Sequence, residues 1–337
     1  MLDVEIKMTA ATDVGLVRTN NEDNFIVNPD LTNDVWIIPE DTNVPFNIGP
    51  NGSLMVVADG MGGMNAGEVA SMIAITSIQE SFRGVSDFSG IIDCSNHIES
   101  FMKKAIVKAD SDIKKKVNED PSTSGMGTTI VMAWIIGNVV HIAWCGDSRA
   151  YLFNQNSGLS RLSRDHSYVQ ELVDSGKLDP ERAFDHPNSN IITKSLGDFA
   201  GSAKPDYMCR GITSGDVILL CSDGLCGLVR DDDILDILIS GHETLDATRD
   251  ALFQSALDAG GYDNITIALA ECVNVDEPEL TKTLAPTETV KPRRKNGLLW
   301  FLIVFVLLAA AVYALNRIGI IQFSGEAPYV NFVINAD

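Results

Sequence analysis

Five short apolar runs constrain this chain more than any other feature. They are 54–58 (LMVVA), 129–135 (TIVMAWI), 139–145 (VVHIAWC), 217–221 (VILLC) and 265–270 (ITIALA), bounded by Gly, Asp or Asn. Runs this short, rich in β-branched residues and closed by turn formers, read as strands rather than helices. The second and third, joined across Gly137-Asn138, predict a hairpin. Helical periodicity appears elsewhere: Ile98, Phe101, Met102, Ala105, Ile106, Ala109, Ile113 and Val117 form one stripe over 96–117. Residues 68–82 and 243–259 also read as helices, the latter ending at Gly260-Gly261. Strands in runs and helices in pairs favour an antiparallel α+β sandwich over a doubly wound parallel sheet.

Charge narrows the partners. The 337 residues carry 46 Asp and Glu against 25 Lys and Arg, a formal net charge of −21. Residues 274–337 hold six basic and six acidic side chains, so the whole excess sits in residues 1–273. An acidic domain of this kind excludes nucleic acid or an anionic membrane surface as its main partner, and it suits cations. The six cysteines show no CxxC spacing, and Cys145 and Cys221 lie inside apolar runs. A reducing compartment fits that pattern better than a disulfide framework. The start, MLDVEIKMTAATDVG, has neither a basic n-region nor an apolar h-region, so no secretory signal is expected.

The organisation changes near residue 274. Residues 274–296 are polar, contain three prolines and read as a disordered linker. Residues 297–315 (GLLWFLIVFVLLAAAVYAL) then run for 19 positions without a charge. At ~1.5 Å per residue they span roughly 28 Å, the hydrocarbon thickness of a bilayer, and so predict one transmembrane helix. Lys291, Arg293, Arg294 and Lys295 precede the run and Arg317 follows it. By the positive-inside rule the acidic domain is cytoplasmic and residues 316–337 form a short extracytoplasmic tail, as in a single-pass inner-membrane protein.

The acids fall in a pattern of their own. Asp59 follows SLMVVA, Asp147 follows HIAWCG, Asp223 follows VILLCS and Asp263 precedes NITIALA. An Asp at one strand end is ordinarily a turn former or a helix cap. Four of them at comparable strand ends would repel one another unless a divalent cation compensated. An all-oxygen ligand set suits Mg²⁺ or Mn²⁺, and the glycines beside the acids leave room for a backbone carbonyl ligand. The bare pattern reads as an Mg/Mn-dependent hydrolase acting on a phosphoester.

Nine ordered blocks narrow this further: TDVGLVRTNNEDNF (12–25), VVADGMGGMNAGEVAS (56–71), GTT (127–129), CGDSRAYL (145–152), RDHS (164–167), ITKSLGD (192–198), KPD (204–206), CSDGL (221–225) and GGYDNITI (260–267). Together they resemble the PPM, or type 2C, metal-dependent protein serine/threonine phosphatases, and the methionine of DGMGG is similar to the bacterial branch. The resemblance covers about residues 8–272. It implies a central β-sandwich of two antiparallel sheets flanked by helix pairs, with two Mn²⁺ or Mg²⁺ ions at one end. Asp59 then matches the acid bridging both ions, and Gly60 the residue offering its carbonyl. Asp223 and Asp263 match ligands of the first ion and Glu22 a ligand of the second. Asp23 matches a residue hydrogen-bonded to metal-bound water, Arg18 the arginine gripping the substrate phosphate, and Asp147 a ligand of a third, weaker ion. The implied reaction is hydrolysis of phosphoserine and phosphothreonine in proteins by a metal-bridging water. The implied counterpart is a bacterial Ser/Thr kinase.

Two departures stand out. Some relatives have a histidine after the Asp-Gly pair as general acid, whereas this chain has Met61, and Gly227 stands where some carry a further acid. His166 is expected to be structural, because Ser167 reads as the N-cap of a helix over 168–175. Residues 165–200, between the CGDSR and KPD blocks, are expected to form a flap beside the site whose DHPNSN stretch influences substrate choice, and 31–53 to form a hairpin or surface loop. Two other classes compete: a non-catalytic phosphoprotein-binding module and a hydrolase of small phosphoesters. A complete ligand set disfavours the first, and the absence of a P-loop disfavours nucleotides for the second.

Overall fold

The computed structural model describes residues 4–62, 66–197 and 201–275. The linker beyond 275, the apolar run 297–315 and the tail 316–337 lie outside the described residues. Among the described residues no helix is long and apolar enough to cross a membrane.

The strands are β1 (Val4–Asp13), β2 (Asp23–Asn28), β3 (Phe46–Asn47), β4 (Ser53–Met61), β5 (Gly127–Thr128), β6 (Ile130–Ile136), β7 (Val139–Cys145), β8 (Arg149–Asn154), β9 (Gly158–Arg161), β10 (Asp206–Gly211), β11 (Val217–Cys221) and β12 (Ile265–Val275). The helices are α1 (Ala66–Arg83), α2 (Ser89–Ile92), α3 (Ser95–Glu119), α4 (Tyr168–Asp174), α5 (Asp223–Cys226), α6 (Asp231–Ser240) and α7 (Leu245–Asp258). One sheet has the order β3-β1-β12-β11-β8-β9 and the other β10-β7-β6-β4-β2, with β5 paired to β4. The pairings are antiparallel, including the expected β6–β7 hairpin, in which Ile136 pairs with Val139.

Side-chain alternation builds the layers. On β4, Met55 and Val57 enter the core between the sheets with Val4, Ile6, Met8 of β1 and Ile218, Leu220 of β11. Leu54, Val56 and Ala58, on the opposite face, pack under α1 and α3. On β12, Ala268 and Ala270 face inward while Ile265, Ile267 and Leu269 meet α7. Both faces of the central strands are thus buried, which is why they read as continuous apolar runs rather than polar–apolar alternations. The segment 31–53 is a surface loop whose short strand β3 pairs with β1 at Glu5 and Ile6.

An aromatic cluster fixes α1 and α3 to their sheet. Phe82 is fully buried and meets Phe101 and Trp134 edge-on, at centroid distances of 4.9 and 5.1 Å. Phe82→Ala is expected to cost about 3–5 kcal/mol. Thermal melting should fall by roughly 10 °C for a domain of this size, and an unchanged melting temperature would show that the cluster does not carry the packing.

Candidate functional site

Antiparallel pairing brings particular strand ends together. The end of β4 lies beside the start of β2, with Asp23 the register partner of Asp59. The end of β11 lies beside the start of β12, since Cys221 pairs with Ile267. The end of β7 lies beside the start of β6, where Cys145 pairs with Ile130. One end of the sandwich therefore collects Asp59 at the end of β4, Asp147 after β7, Asp223 at the start of α5 and Asp263 before β12, with Glu22 and Asp23 entering β2. Asp59 is still within its strand, not beyond it, because the ladder continues through Gly60 and Met61 against β5. On the alternation that sends Met55 and Val57 inward, Asp59 points to the same inter-sheet side.

Small polar residues hold these acids. Asp23 is buried, and its carboxylate accepts hydrogen bonds from Ser222 Oγ and Thr266 Oγ1, both at 2.7 Å. The Asp59 carbonyl accepts from Thr129 N and Thr128 Oγ1, both at 2.8 Å. The Glu22 carbonyl accepts from Ser71 Oγ at 2.5 Å and Gly60 N at 3.2 Å. Asn264 is the hub: its Oδ1 accepts from Glu22 N at 2.8 Å, while its Nδ2 donates to Val14 O at 3.0 Å and Asn20 O at 2.9 Å. Backbone approaches are as close as glycine permits. A Cβ at Gly67 would stand 2.6 Å from Glu22 Oε2, and one at Gly60 would stand 2.2 Å from Gly67 O.

The electrostatics demand a cation. Burial pushes the Asp23 carboxyl up to about 7, even though both of its hydroxyl partners favour the charged form. Burial, then the neighbouring acids Asp23, Asp223 and Asp147, holds Asp59 well above the usual carboxylate range. Asp147 is raised by burial and then by Asp223, and Asp223 by burial and then by Asp263. Glu22 is raised by burial, with Arg18 opposing it. Asp147 Oδ1 is buried with no hydrogen-bond partner among the described residues. A hard divalent cation fits this donor set: several oxygens, mutual repulsion and one orphaned buried acceptor.

Arg18 stands at the mouth of the site. Its guanidinium is exposed and donates to Asp263 Oδ2 at 2.8 Å, a contact that holds it charged. His166 is buried against Trp144 with both ring nitrogens engaged: Nδ1 accepts from Gly146 N at 3.1 Å and Nε2 lies 2.9 Å from Asp206 Oδ2. Ser167 caps α4 through Gln170 N. His166 is therefore a brace behind Asp147 and does not replace the histidine that Met61 displaces.

All eight sequence-predicted residues, Arg18, Glu22, Asp23, Asp59, Gly60, Asp147, Asp223 and Asp263, belong to this one end of the fold. Sequence reasoning passed over Ser71, Thr128, Thr129, Ser222, Asn264 and Thr266. Each is a small polar residue beside a predicted acid or within a motif block, and that adjacency was the available signal.

The geometry agrees with relatedness. The sequence profile of Protein phosphatase 2C matches residues 39–259. A Serine/threonine phosphatase stp of Listeria monocytogenes is 35% identical over 260 residues, 77% of this chain and 93% of that one. Protein phosphatase PhpP of Streptococcus pneumoniae is 34% identical over 276 residues, 81% of this chain and 100% of that one. The solved catalytic domain of the phosphatase PstP, with two manganese ions, superposes with a TM-score of 0.63 at 30% identity, covering 80% of this chain and 100% of that one. A matched profile over most of the domain, identities in the mid-thirties and the same fold leave one conclusion: the chain belongs to the protein phosphatase 2C family.

Proposed function

We propose that this chain removes phosphate from phosphoserine and phosphothreonine in proteins at a membrane, opposing a Ser/Thr protein kinase. The enzyme class follows from the family: it is a phosphoprotein phosphatase, and its cofactor is Mn²⁺ or Mg²⁺. The observation that carries the reading is the set of acids gathered at one end of the sandwich, with Asp147 Oδ1 buried and unpartnered.

Asp59, Asp223 and Asp263 would hold one cation and Asp59 with Glu22 a second, with the Gly60 carbonyl, whose amide is bonded to the Glu22 carbonyl, as a further ligand. Asp147, beside Asp223, would serve a third and weaker site. When bound, the cations supply Lewis-acid polarisation of the phosphoryl group and an acidified water for attack at phosphorus. Asp23, fixed by Ser222 and Thr266, orients a water and takes up charge behind the reacting centre. Arg18 presents two donors to the phosphoryl oxygens and stabilises the charge that develops on them. Its contact with Asp263 keeps the guanidinium at the mouth until the phosphate arrives. Met61 has no proton to give and both nitrogens of His166 are engaged, so the leaving oxygen takes its proton from solvent.

The membrane setting rests on the 19 uncharged residues 297–315 with basic residues before them. In the proposed organisation, residues 1–273 are the phosphatase domain, 274–296 a linker, 297–315 the span and 316–337 an extracytoplasmic tail. Tethering would raise the local concentration of the domain near a membrane-bound kinase and its products. A single comparison tests both parts. Full-length protein should sediment with membranes and a chain ending at Val275 should not. Both should release phosphate from a phosphothreonine peptide with Mn²⁺, and neither should in EDTA. A truncated chain that still sediments would overturn the anchor, and turnover that survives EDTA would overturn the metal reading.

A further inference from the structure

The strand-end acids open into a groove of about 730 Å³. Asp147, Asp223 and Asp263 form its inner end, the segment after α4 (Pro180, Glu181, Phe184) one wall, and the turn from α5 into α6 the other. A volume of that size accepts a ligand as large as a few residues of extended polypeptide. The two walls are tied together at one point: Arg230 donates to both carboxylate oxygens of Asp185, at 2.7 and 2.8 Å, and lies over the Phe184 ring, 4.3 Å from its centroid.

The groove's charge is uneven. Its three arginines are already committed within the protein. Arg149 is bonded to Asp165 at 2.7–3.2 Å and approaches Asp231, Arg161 bonds Gln170 at 2.7 Å and neighbours Asp165, and Arg230 holds Asp185. Glu181 and Asp232, by contrast, line the groove, are exposed, and have no side-chain hydrogen bond or ion pair among the described residues. Both walls of the groove thus present negative charge that no described residue neutralises. The surrounding domain carries all of the −21 excess, which opposes the approach of a phosphorylated polypeptide. A cationic side chain close to the phosphate would answer both the local and the long-range field.

We propose that this groove seats the substrate polypeptide, and that Glu181 and Asp232 select a lysine or arginine within a few residues of the phosphorylated serine or threonine. The proposal rests on the phosphatase reading above and adds its substrate class. Asp232 also lies in the first turn of α6, where its charge favours the helix, so Glu181→Gln and Asp232→Asn, which keep shape and remove charge, are the suitable changes.

The test uses full-length protein with Mn²⁺ and three phosphothreonine peptides that differ in carrying lysine, alanine or glutamate at the flanking positions. Wild type should turn over the lysine peptide about tenfold better than the alanine peptide in kcat/KM, as two accessible ion pairs allow. The gain should lie mainly in KM, and the glutamate peptide should be poorest. In the Glu181→Gln/Asp232→Asn protein the lysine-to-alanine ratio should fall below about twofold, and Asp232→Lys should favour the glutamate peptide. The alanine peptide, turned over by the same folded site, is the internal reference. Equal use of the three peptides by wild type, or a lysine preference that survives in the double variant, would overturn the selection while leaving the phosphatase intact. Failure of every peptide and of p-nitrophenyl phosphate would overturn the phosphatase reading itself, and the selection with it.

Discussion

Asp59→Asn is expected to lower phosphopeptide turnover by about a thousandfold or more, and at the same time to raise the melting temperature of the chelated protein. The first effect follows if Asp59 holds both cations, because losing several kcal/mol of charge stabilisation costs a decade of rate per ~1.4 kcal/mol. The second follows from the site itself. Asp59 faces Asp23 across the β2–β4 ladder, and its neighbours Asp23, Asp223 and Asp147 all disfavour its charge. Replacing one of several mutually repelling buried carboxylates by a neutral amide relieves about 1.4 kcal/mol for each unit by which its neighbours raise its pKa, or a few degrees for a domain this large. Steady-state kinetics with Mn²⁺ and a thermal melt in EDTA at pH 8 read the two effects separately. A variant that lost activity and also melted lower in EDTA would mean that Asp59 is a packing residue, and that the account of an electrostatically frustrated site is wrong.

That opposition between stability and function explains which parts of the fold were legible in the sequence. The β6–β7 hairpin and β11 could be read because each is a local apolar run between turn formers, and β11 matches the expected Val217–Cys221. Strand β1 was equally readable in principle. Val4, Ile6, Met8 and Ala10 alternate inward with period two, but Lys7 and Thr9 between them hide the run from a search for continuous apolarity. Helix α6 opens with three consecutive aspartates, and that acidic start obscures the short apolar stripe of Ile234 and Leu238 behind it.

The acids were legible for a different reason. A carboxylate at the end of an apolar strand is costly, so its recurrence at four strand ends carried information about a shared cation. What holds them was not legible. Ser222 and Thr266 meet Asp23 across 199 and 243 positions of sequence, and Asn264 reaches Glu22 across 242. No local pattern records such a bond, since it exists only once the sheets pair. The ties of the groove are of the same kind. Arg230 and Asp185 look like ordinary surface charges until the segment after α4 folds back onto the α5–α6 turn.

In chelator, the protein should lose stability as pH rises from 6.5 to 8, and Mn²⁺ should reverse that loss. An acid whose folded value lies above its unfolded one binds more protons when folded, so stability falls as pH climbs between the two. Asp23, at about 7 in the fold against 3.8 ordinarily, contributes a penalty that is absent below about pH 3.8 and complete above about 7. Asp59, Asp147 and Asp223 act in the same direction. Two buried histidines act oppositely and lower down. His141 is pushed down to about 4 and His166 is lowered, so their neutral forms cost stability only as pH falls below about 6.5, where the unfolded imidazoles take up protons. Above about pH 6.5 the histidines no longer contribute a slope, so the acids alone set the pH dependence there. Asp23 alone leaves about 1 kcal/mol of its penalty to the interval between pH 6.5 and 8, or roughly 2–4 °C, and the other acids act in the same direction. Mn²⁺ binds the ionised carboxylates and competes with protons, so its stabilisation should be larger at pH 8 than at pH 6.5. Melting curves at both values, with EDTA and with saturating Mn²⁺, decide the matter. If the chelated melting temperature is flat or rises across this range, the acids are not held protonated by their burial, and the need for a cation cannot be argued from their mutual repulsion.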